Sequence, residues 1–277
     1  MFFVQISDMH LIQPGHRTFG GVDPAAYAES CVKAVNLLKP QPELVLVTGD
    51  IADIGTAEVY DYACEILDRL HSPYFVVPGN HDNRVALYDA FKGRACPVAP
   101  ADGNTEAGDG GPAWLPYSFS HGRFRFIALD TLSEGSPAGY LCAEQLYWLE
   151  SLLKGSATNS RVIFFHHPPV ATGHPLIDES RLRNAADLQE ILAHYPAETH
   201  LLCGHVHRPV STIWNGAAVH ICPSVIHQLS FNLRAESEFS FIYEPPAFRV
   251  FIETGDTLIS HLVYINDFGP HYPVGSL

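Results

Sequence analysis

Read from the amino terminus, the chain alternates short, densely apolar runs with longer segments whose apolar residues recur at helical spacing. The runs Phe2–Ile6, Leu44–Thr48, Tyr74–Val77, 161–165 and 200–203 are rich in β-branched and aromatic side chains and end at turn formers. That pattern predicts strands buried on both faces. Between the first two runs, Asp23-Pro24 supplies an N-cap and a proline at the first helical position. Ala28, Cys31, Val35 and Leu38 then fall on one helical face. A second helix follows Gly55-Thr56, with Val59, Ala63, Ile66 and Leu70 inward. A third covers Ala143–Lys154, turns Leu146, Leu149 and Leu153 inward, and stops at Gly155. Such alternation predicts a mainly parallel, layered α/β domain.

The remainder reads as β structure. Hairpins are expected from 117–120 with 123–130 around His121-Gly122, and from 210–214 with 217–222 around Asn215-Gly216. Further strands are expected at 239–243, 248–253 and 258–265, the last two joined at Gly255-Asp256. Residues 94–112, rich in Gly, Pro, Asp and Ala, read as an irregular surface insertion. No internal repeat or low-complexity tract interrupts the chain.

Composition narrows the function classes. With 277 residues and 47 % hydrophobic content the chain can bury a full-sized core. Acidic residues outnumber basic ones, 30 against 16, so the net charge is −14 and no basic stripe suggests a nucleic-acid groove. An anionic substrate must then be attracted by something local, such as a bound metal cluster. The six cysteines never form a C-x-x-C pair and read as reduced, mostly buried thiols. The first strand starts directly after Met1, and no apolar run reaches a membrane-spanning length, so a cytoplasmic location away from any membrane is expected.

Five short segments carry the chemistry: Asp8-Met9-His10, Gly49-Asp50, Gly79-Asn80-His81-Asp82, His166-His167-Pro168-Pro169 and Gly204-His205-Val206-His207. Each follows the carboxyl end of a predicted strand, taken as one sheet edge where loops converge on a ligand. Imidazole and carboxylate without thiolate suit iron, manganese, zinc or cobalt and argue against a closed structural zinc site. Asp8, His10, Asp50, Asn80, His166, His205 and His207 are too many ligands for one catalytic ion with an open position. Two divalent ions sharing a bridging carboxylate account for the number. Such a pair, roughly 3.5–4 Å apart, clamps both the attacking and the leaving oxygen of a phosphoryl transfer. Asn80 supplies an oxygen without cancelling charge, which leaves the pair positive towards a singly charged phosphodiester. Taken alone each motif has an ordinary explanation as a capped strand exit or a turn; the five in order do not. Gly15 and Gly20 have P-loop spacing, but Gly21-Val22 stands where Lys-Ser/Thr would be required.

The string D-x-H, GD, GNHD, HHPP, GHVH resembles the calcineurin-like metallophosphoesterases, in particular bacterial glycerophosphodiesterases and class III cyclic-nucleotide phosphodiesterases. Similarity extends to Thr18-Phe19-Gly20 with Asp23, and to the segment from Pro223 to His227-Gln228. The resemblance implies a four-layer α/β sandwich of two mixed β-sheets flanked by helices. It implies a catalytic domain over residues 1–227 and a β-rich extension over 228–277 that completes the second sheet. That extension is read as core, or alternatively as a cap or a dimerisation arm, and a homo-oligomer is expected. One metal would be held by Asp8, His10, Asp50 and His207, the other by Asp50, Asn80, His166 and His205. Asp50 and His81 would serve catalysis, with His81 at the phosphoryl oxygen or leaving group, and Asn80, His81 and His227 would contact the substrate. The implied reaction is attack of a metal-bridging hydroxide on a small phosphodiester, a cyclic nucleotide or a glycerophosphodiester. A phosphomonoesterase and a nuclease are the alternatives. Asp82 is expected to orient a ligand histidine or to cap the helix that follows.

Overall fold

In the computed structural model, residues 1–94, 116–155, 160–234 and 238–270 are described, so the insertion expected at 94–112 lies outside them apart from Arg94. Period-two alternation along the buried strands sorts the side chains into layers. In β1 (Phe2–Ile6) and β2 (Leu44–Thr48), Phe3, Leu44 and Leu46 point to one side, while Val4, Ile6, Val45 and Val47 point to the other. The second group packs beneath α1 (Pro24–Leu37), α2 (Ala57–Leu67) and α3 (Arg84–Phe91), which follows β3 (Tyr74–Val77). In β6 (Ser160–Phe164) and β7 (Glu198–Cys203), Val162, Phe164 and Leu202 meet Phe3 and Leu46 in a middle layer. Ile163, Leu201 and Cys203 face outward, in one cluster with Leu149 and Leu153 of α4 (Ala143–Lys154) and Leu188 of α6 (Ala185–His194). Helices, sheet, sheet, helices: the expected four-layer α/β sandwich is present.

The first sheet runs β13-β12-β1-β2-β3, with β12 (Ala247–Thr254) and β13 (Thr257–Tyr264) as its antiparallel end. The second runs β4-β5-β6-β7-β9-β8, with β4 (Tyr117–His121), β5 (Phe124–Ala128), β8 (Val210–Trp214) and β9 (Ala217–Ile221). Two expectations are corrected here. The C-terminal hairpin completes the first sheet, not the second, because β2 pairs with only one edge of β1 and β12 takes the other, Phe2 opposite Ile252. The five motif-bearing strands also do not share one sheet edge: β1, β2 and β3 lie in the first sheet, β6 and β7 in the second.

Asp23 caps α1 as expected, accepting hydrogen bonds from the amides of Ala25 and Ala26. Helices α3 and α6, and the short α5 (Pro175–Asp178), had no prediction; α6 buries only Leu188, too little apolar signal to read. Of 239–243, only Phe241–Ile242 forms a strand, β11, paired with β10 (Gln228–Leu229). Five cysteines are free thiols among the described residues, four of them buried. No helix among those residues is long and apolar enough to cross a membrane.

Candidate metal centre

The loops leaving β1 and β2 are laced together by their backbones, Asp8 N to Gly49 O at 3.1 Å and His10 N to Asp50 O at 2.9 Å. Those leaving β6 and β7 are joined in the same way, Gly204 N to His166 O at 3.0 Å. The two pairs then meet across the seam between the sheets. The amide of His205 donates to the Asp8 carboxylate at 3.1 Å, and His166 Nδ1 donates to the Thr48 carbonyl at 2.8 Å. A side chain at Gly204 would stand 2.1 Å from Ser7 Oγ, and one at Gly79 would stand 2.2 Å from Asp50 Oδ1, so the glycines of these motifs permit the close approach.

Asp8, His10, Asp50, His205 and His207 all adopt left-handed backbone conformations, with φ of 56°, 43°, 49°, 72° and 53°. Among the described residues, the one further non-glycine residue there is Asn215, in a hairpin turn. Five strained residues of this kind in one cluster are tolerated only where the surroundings over-determine them, as at functional sites. Asp82 explains part of that rigidity. Its buried carboxylate accepts hydrogen bonds from Gly79 N, Ile51 N, Ala52 N and the Tyr60 hydroxyl, at 2.8 to 3.2 Å. It therefore clamps two loops. It neither orients a histidine nor caps α3, whose cap is Asn83.

The hydrogen bonds fix which histidine nitrogens are free. His10 Nδ1 lies 3.1 Å from Asp53 Oδ1, His166 Nδ1 is bound to Thr48 O, and His207 Nδ1 is 3.1 Å from His227 O. Each of these partners only accepts, so each Nδ1 carries the proton and each Nε2 presents a lone pair. Those lone pairs face other acceptors. His10 Nε2 is 3.0 Å from His207 Nε2, and His207 Nε2 is 3.3 Å from Asp8 Oδ1. His10 Nε2 is 3.8 Å and His166 Nε2 3.2 Å from Asp50 Oδ2; His205 instead turns Nδ1 inward, 3.0 Å from Asn80 Oδ1. His166 Nε2 is buried with no hydrogen-bond partner. Acceptors crowded against acceptors repel one another unless cations lie among them, so these residues fit bound metal ions.

Electrostatics agree with that fit. Burial alone would raise the Asp8 carboxyl, but His207 and His166 overcome it and hold the group at about 2. Asp50 is likewise driven far below the carboxylate range: His166 and His10 outweigh its burial. Burial would lower His166, yet Asp50 and Asp8 lift it to about 9: the two carboxylates favour positive charge at this point of the site. Burial, with the charge of His166, presses His205 down to about 3, and burial beside His207 presses His227 to about 3.

All seven expected ligands thus converge, and so do the other expected site residues. His81 lies with its ring 4.8 Å from that of His10, and its Nδ1 donates to Asp53 O at 3.1 Å. The His227 ring lies 4.8 Å from that of His207, tilted by 46°, and Phe241 packs against both. His167 stays behind the site, fully buried, its Nδ1 on Thr131 Oγ at 2.7 Å. Asp53, which touches His10, and Ser180, whose Oγ is 2.9 Å from His205 Nε2, had not been singled out. Asp53 was readable as the second acid of Asp50-Ile-Ala-Asp53; Ser180 lies in no motif. Above the cluster opens a cavity of about 1110 Å³, walled by Leu176 and Ile177 on α5 and by Phe239, Phe241 and Tyr243.

Comparison with known proteins agrees with this geometry. Residues 1–209 match the calcineurin-like phosphoesterase family. This chain belongs to that family. Over 275 residues the phosphoesterase is 34 % identical to a probable glycerophosphodiester phosphodiesterase of Arcobacter nitrofigilis, covering 99 % of this chain and 96 % of that one. It is 33 % identical to a probable cyclic nucleotide phosphodiesterase of Rhodopseudomonas palustris, over 94 % of this chain and 91 % of that one. Identity to the 3′,5′-cyclic adenosine monophosphate phosphodiesterase of Escherichia coli K12 is 29 %, covering 81 % and 76 %. Among solved structures, a dimetal phosphatase from Danio rerio shares the fold, with a TM-score of 0.67 at 16 % identity over 96 % of this chain and 97 % of that one.

Proposed function

We propose that this phosphoesterase hydrolyses small phosphodiesters with a pair of divalent metal ions. The observation that carries the reading is the set of lone pairs facing other acceptors, His10 Nε2 against His207 Nε2 and His166 Nε2 against Asp50, with Asn80 Oδ1 and His205 Nδ1 beside them. Asp8, His10, Asp50 and His207 would hold one ion, and Asp50, Asn80, His166 and His205 the other. When bound, such a pair supplies Lewis acidity and water ionised near neutral pH. Asp53 keeps the proton of His10 on Nδ1. The Asp53 carbonyl does the same for His81, whose Nε2 is then the atom available to a phosphoryl oxygen or to the departing alkoxide. His227 lines the pocket beside Phe241 and would touch the substrate there, as would Asn80, which lines the same pocket.

Two features favour a diester over a monoester. Asn80 adds an oxygen but no third carboxylate to Asp8 and Asp50 among the proposed ligands, which matches a singly charged phosphate. The walls formed by Leu176, Ile177, Phe239 and Phe241 offer apolar surface to a second ester substituent. Relatives that act on cyclic nucleotides and on glycerophosphodiesters both fall within this chemistry.

The test is hydrolysis of bis(p-nitrophenyl) phosphate beside p-nitrophenyl phosphate by metal-stripped protein, before and after reloading with manganese. Turnover is expected only after reloading and faster on the diester. Preference for the monoester would assign the chain to phosphomonoester hydrolysis, and no turnover with any metal would defeat the catalytic reading. His81→Ala should slow diesters with poor leaving groups more than those with good ones.

A further inference from the structure

His205 differs from the other histidines of the site. His10, His166 and His207 turn Nδ1 to a carbonyl or carboxylate acceptor and Nε2 to the site, whereas His205 turns Nδ1 to the site, 3.0 Å from Asn80 Oδ1. Which of its nitrogens carries the proton is decided at the other end of the ring, at Nε2. Ser180 Oγ lies 2.9 Å from that nitrogen and also 2.9 Å from the carbonyl oxygen of Ile177. A hydroxyl has one proton, and a carbonyl can only accept. The Ser180 proton goes to Ile177 O, so the oxygen facing His205 accepts, and His205 must donate from Nε2. A neutral imidazole has one N–H, which leaves Nδ1 as a lone pair directed at the site.

We propose that Ser180 is a positioning residue for metal binding, fixing the tautomer and ring orientation of His205 from outside the strand that carries it. The inference rests on the two-metal reading above. The segment that bears Ser180 is built to hold it still. Asp178 ends α5 and accepts hydrogen bonds from Thr172 N, Thr172 Oγ1 and Gly173 N, at 2.7, 2.8 and 2.9 Å. Beyond it, Leu182 is fully buried and its amide donates to Pro168 O at 3.0 Å, while Arg183 N donates to Gly139 O at 2.9 Å. The hydroxyl is thus carried on a turn pinned on both sides. Leu176 and Ile177, which wall the substrate cavity, belong to the same turn, so the wall and one metal ligand share a support.

The experiment is calorimetric titration of the metal-stripped full chain with zinc, for wild type, Ser180→Ala and Ser180→Thr. Wild type should bind two ions. In Ser180→Ala one of the two affinities should fall about 10- to 100-fold, the usual cost of losing an outer partner of a ligand histidine, with the other unchanged. Ser180→Thr keeps the hydroxyl and should recover most of the loss. In the zinc-loaded wild type, nitrogen NMR of the histidine rings should find His205 protonated at Nε2, and in Ser180→Ala that proton should exchange too fast to observe. Two unchanged affinities in Ser180→Ala would overturn the assignment, as would equal weakening in the alanine and threonine variants, which points to the turn and not the hydroxyl. Wild type that binds no zinc would instead sink the two-metal reading itself.

Discussion

The two ends of the sandwich join the same pair of sheets by opposite means. At the amino ends of the parallel strands the protein supplies its own cations. Arg123 donates from Nε to Glu253 Oε1 of the first sheet at 2.6 Å and pairs with Glu198 of the second. The Met1 ammonium reaches Glu253 at 3.2 Å, and His121 reaches Glu43 at 2.6 Å. At the carboxyl ends, Asp8 and Asp50 meet the rings of three histidines, His10, His166 and His207, and among the described residues neither pairs with a Lys or Arg within salt-bridge distance. One seam is complete as folded, and the other is the one we propose bound cations complete. The difference teaches how to recognise a metal site in a layered fold: acidic groups are common at both ends, but only one end leaves its acceptors facing each other.

The largest effect should come from breaking the metal end. Asp50→Asn should lower phosphodiester turnover at least about a thousandfold, which is about 4 kcal/mol of transition-state stabilisation. It should also abolish most of the rise in Tm on adding metal. In wild type that rise should correspond to about 2.7 kcal/mol for each site at a hundredfold excess over Kd, read by calorimetry. Next comes the opposite seam. Arg123→Met removes the cation shared by Glu198 and Glu253, leaving the first with Ser160 and His200 and the second with the Met1 ammonium, and should cost about 2 kcal/mol, allowing for the solvent that reaches this arginine. The metal-dependent rise in Tm and the KM should stay as in wild type. A loss of metal affinity in Arg123→Met would break the separation between the two ends.

The smallest effect is a pH dependence. Burial would raise Glu198, but hydrogen bonds from Arg123, His200 and Ser160 hold it at about 2 instead of its ordinary 4.5. A carboxyl lowered on folding contributes stability in full above about 4.5, and loses it as pH falls through about 2. Glu198→Gln should therefore melt roughly 2–4 °C below wild type at pH 7. The gap should close between pH 4.5 and 2 in a series of thermal scans; a gap constant with pH would remove the charge from the account.

Much of this molecule was legible before its fold was known, for a physical reason. Strand interiors announce themselves by apolar density, and residues at strand ends are free to carry chemistry, so the seven residues proposed as ligands, His81 and the α/β layering could be read from short local patterns. Asp53 was within reach of the same reading. Where the sheets divide was not, because fully buried strands have two apolar faces and the sequence does not say which face meets helices and which meets the other sheet. The pairing of β12 with β1 joins residues some 250 positions apart, Phe2 with Ile252, and no local signal encodes it. Nor does any motif bring Ser180 to His205, or Thr48 O to His166. Local chemistry in the sequence determined which atoms can hold metal; packing across the seam decided which lone pair each histidine presents, because a ring's second nitrogen is committed only by a partner from elsewhere in the chain.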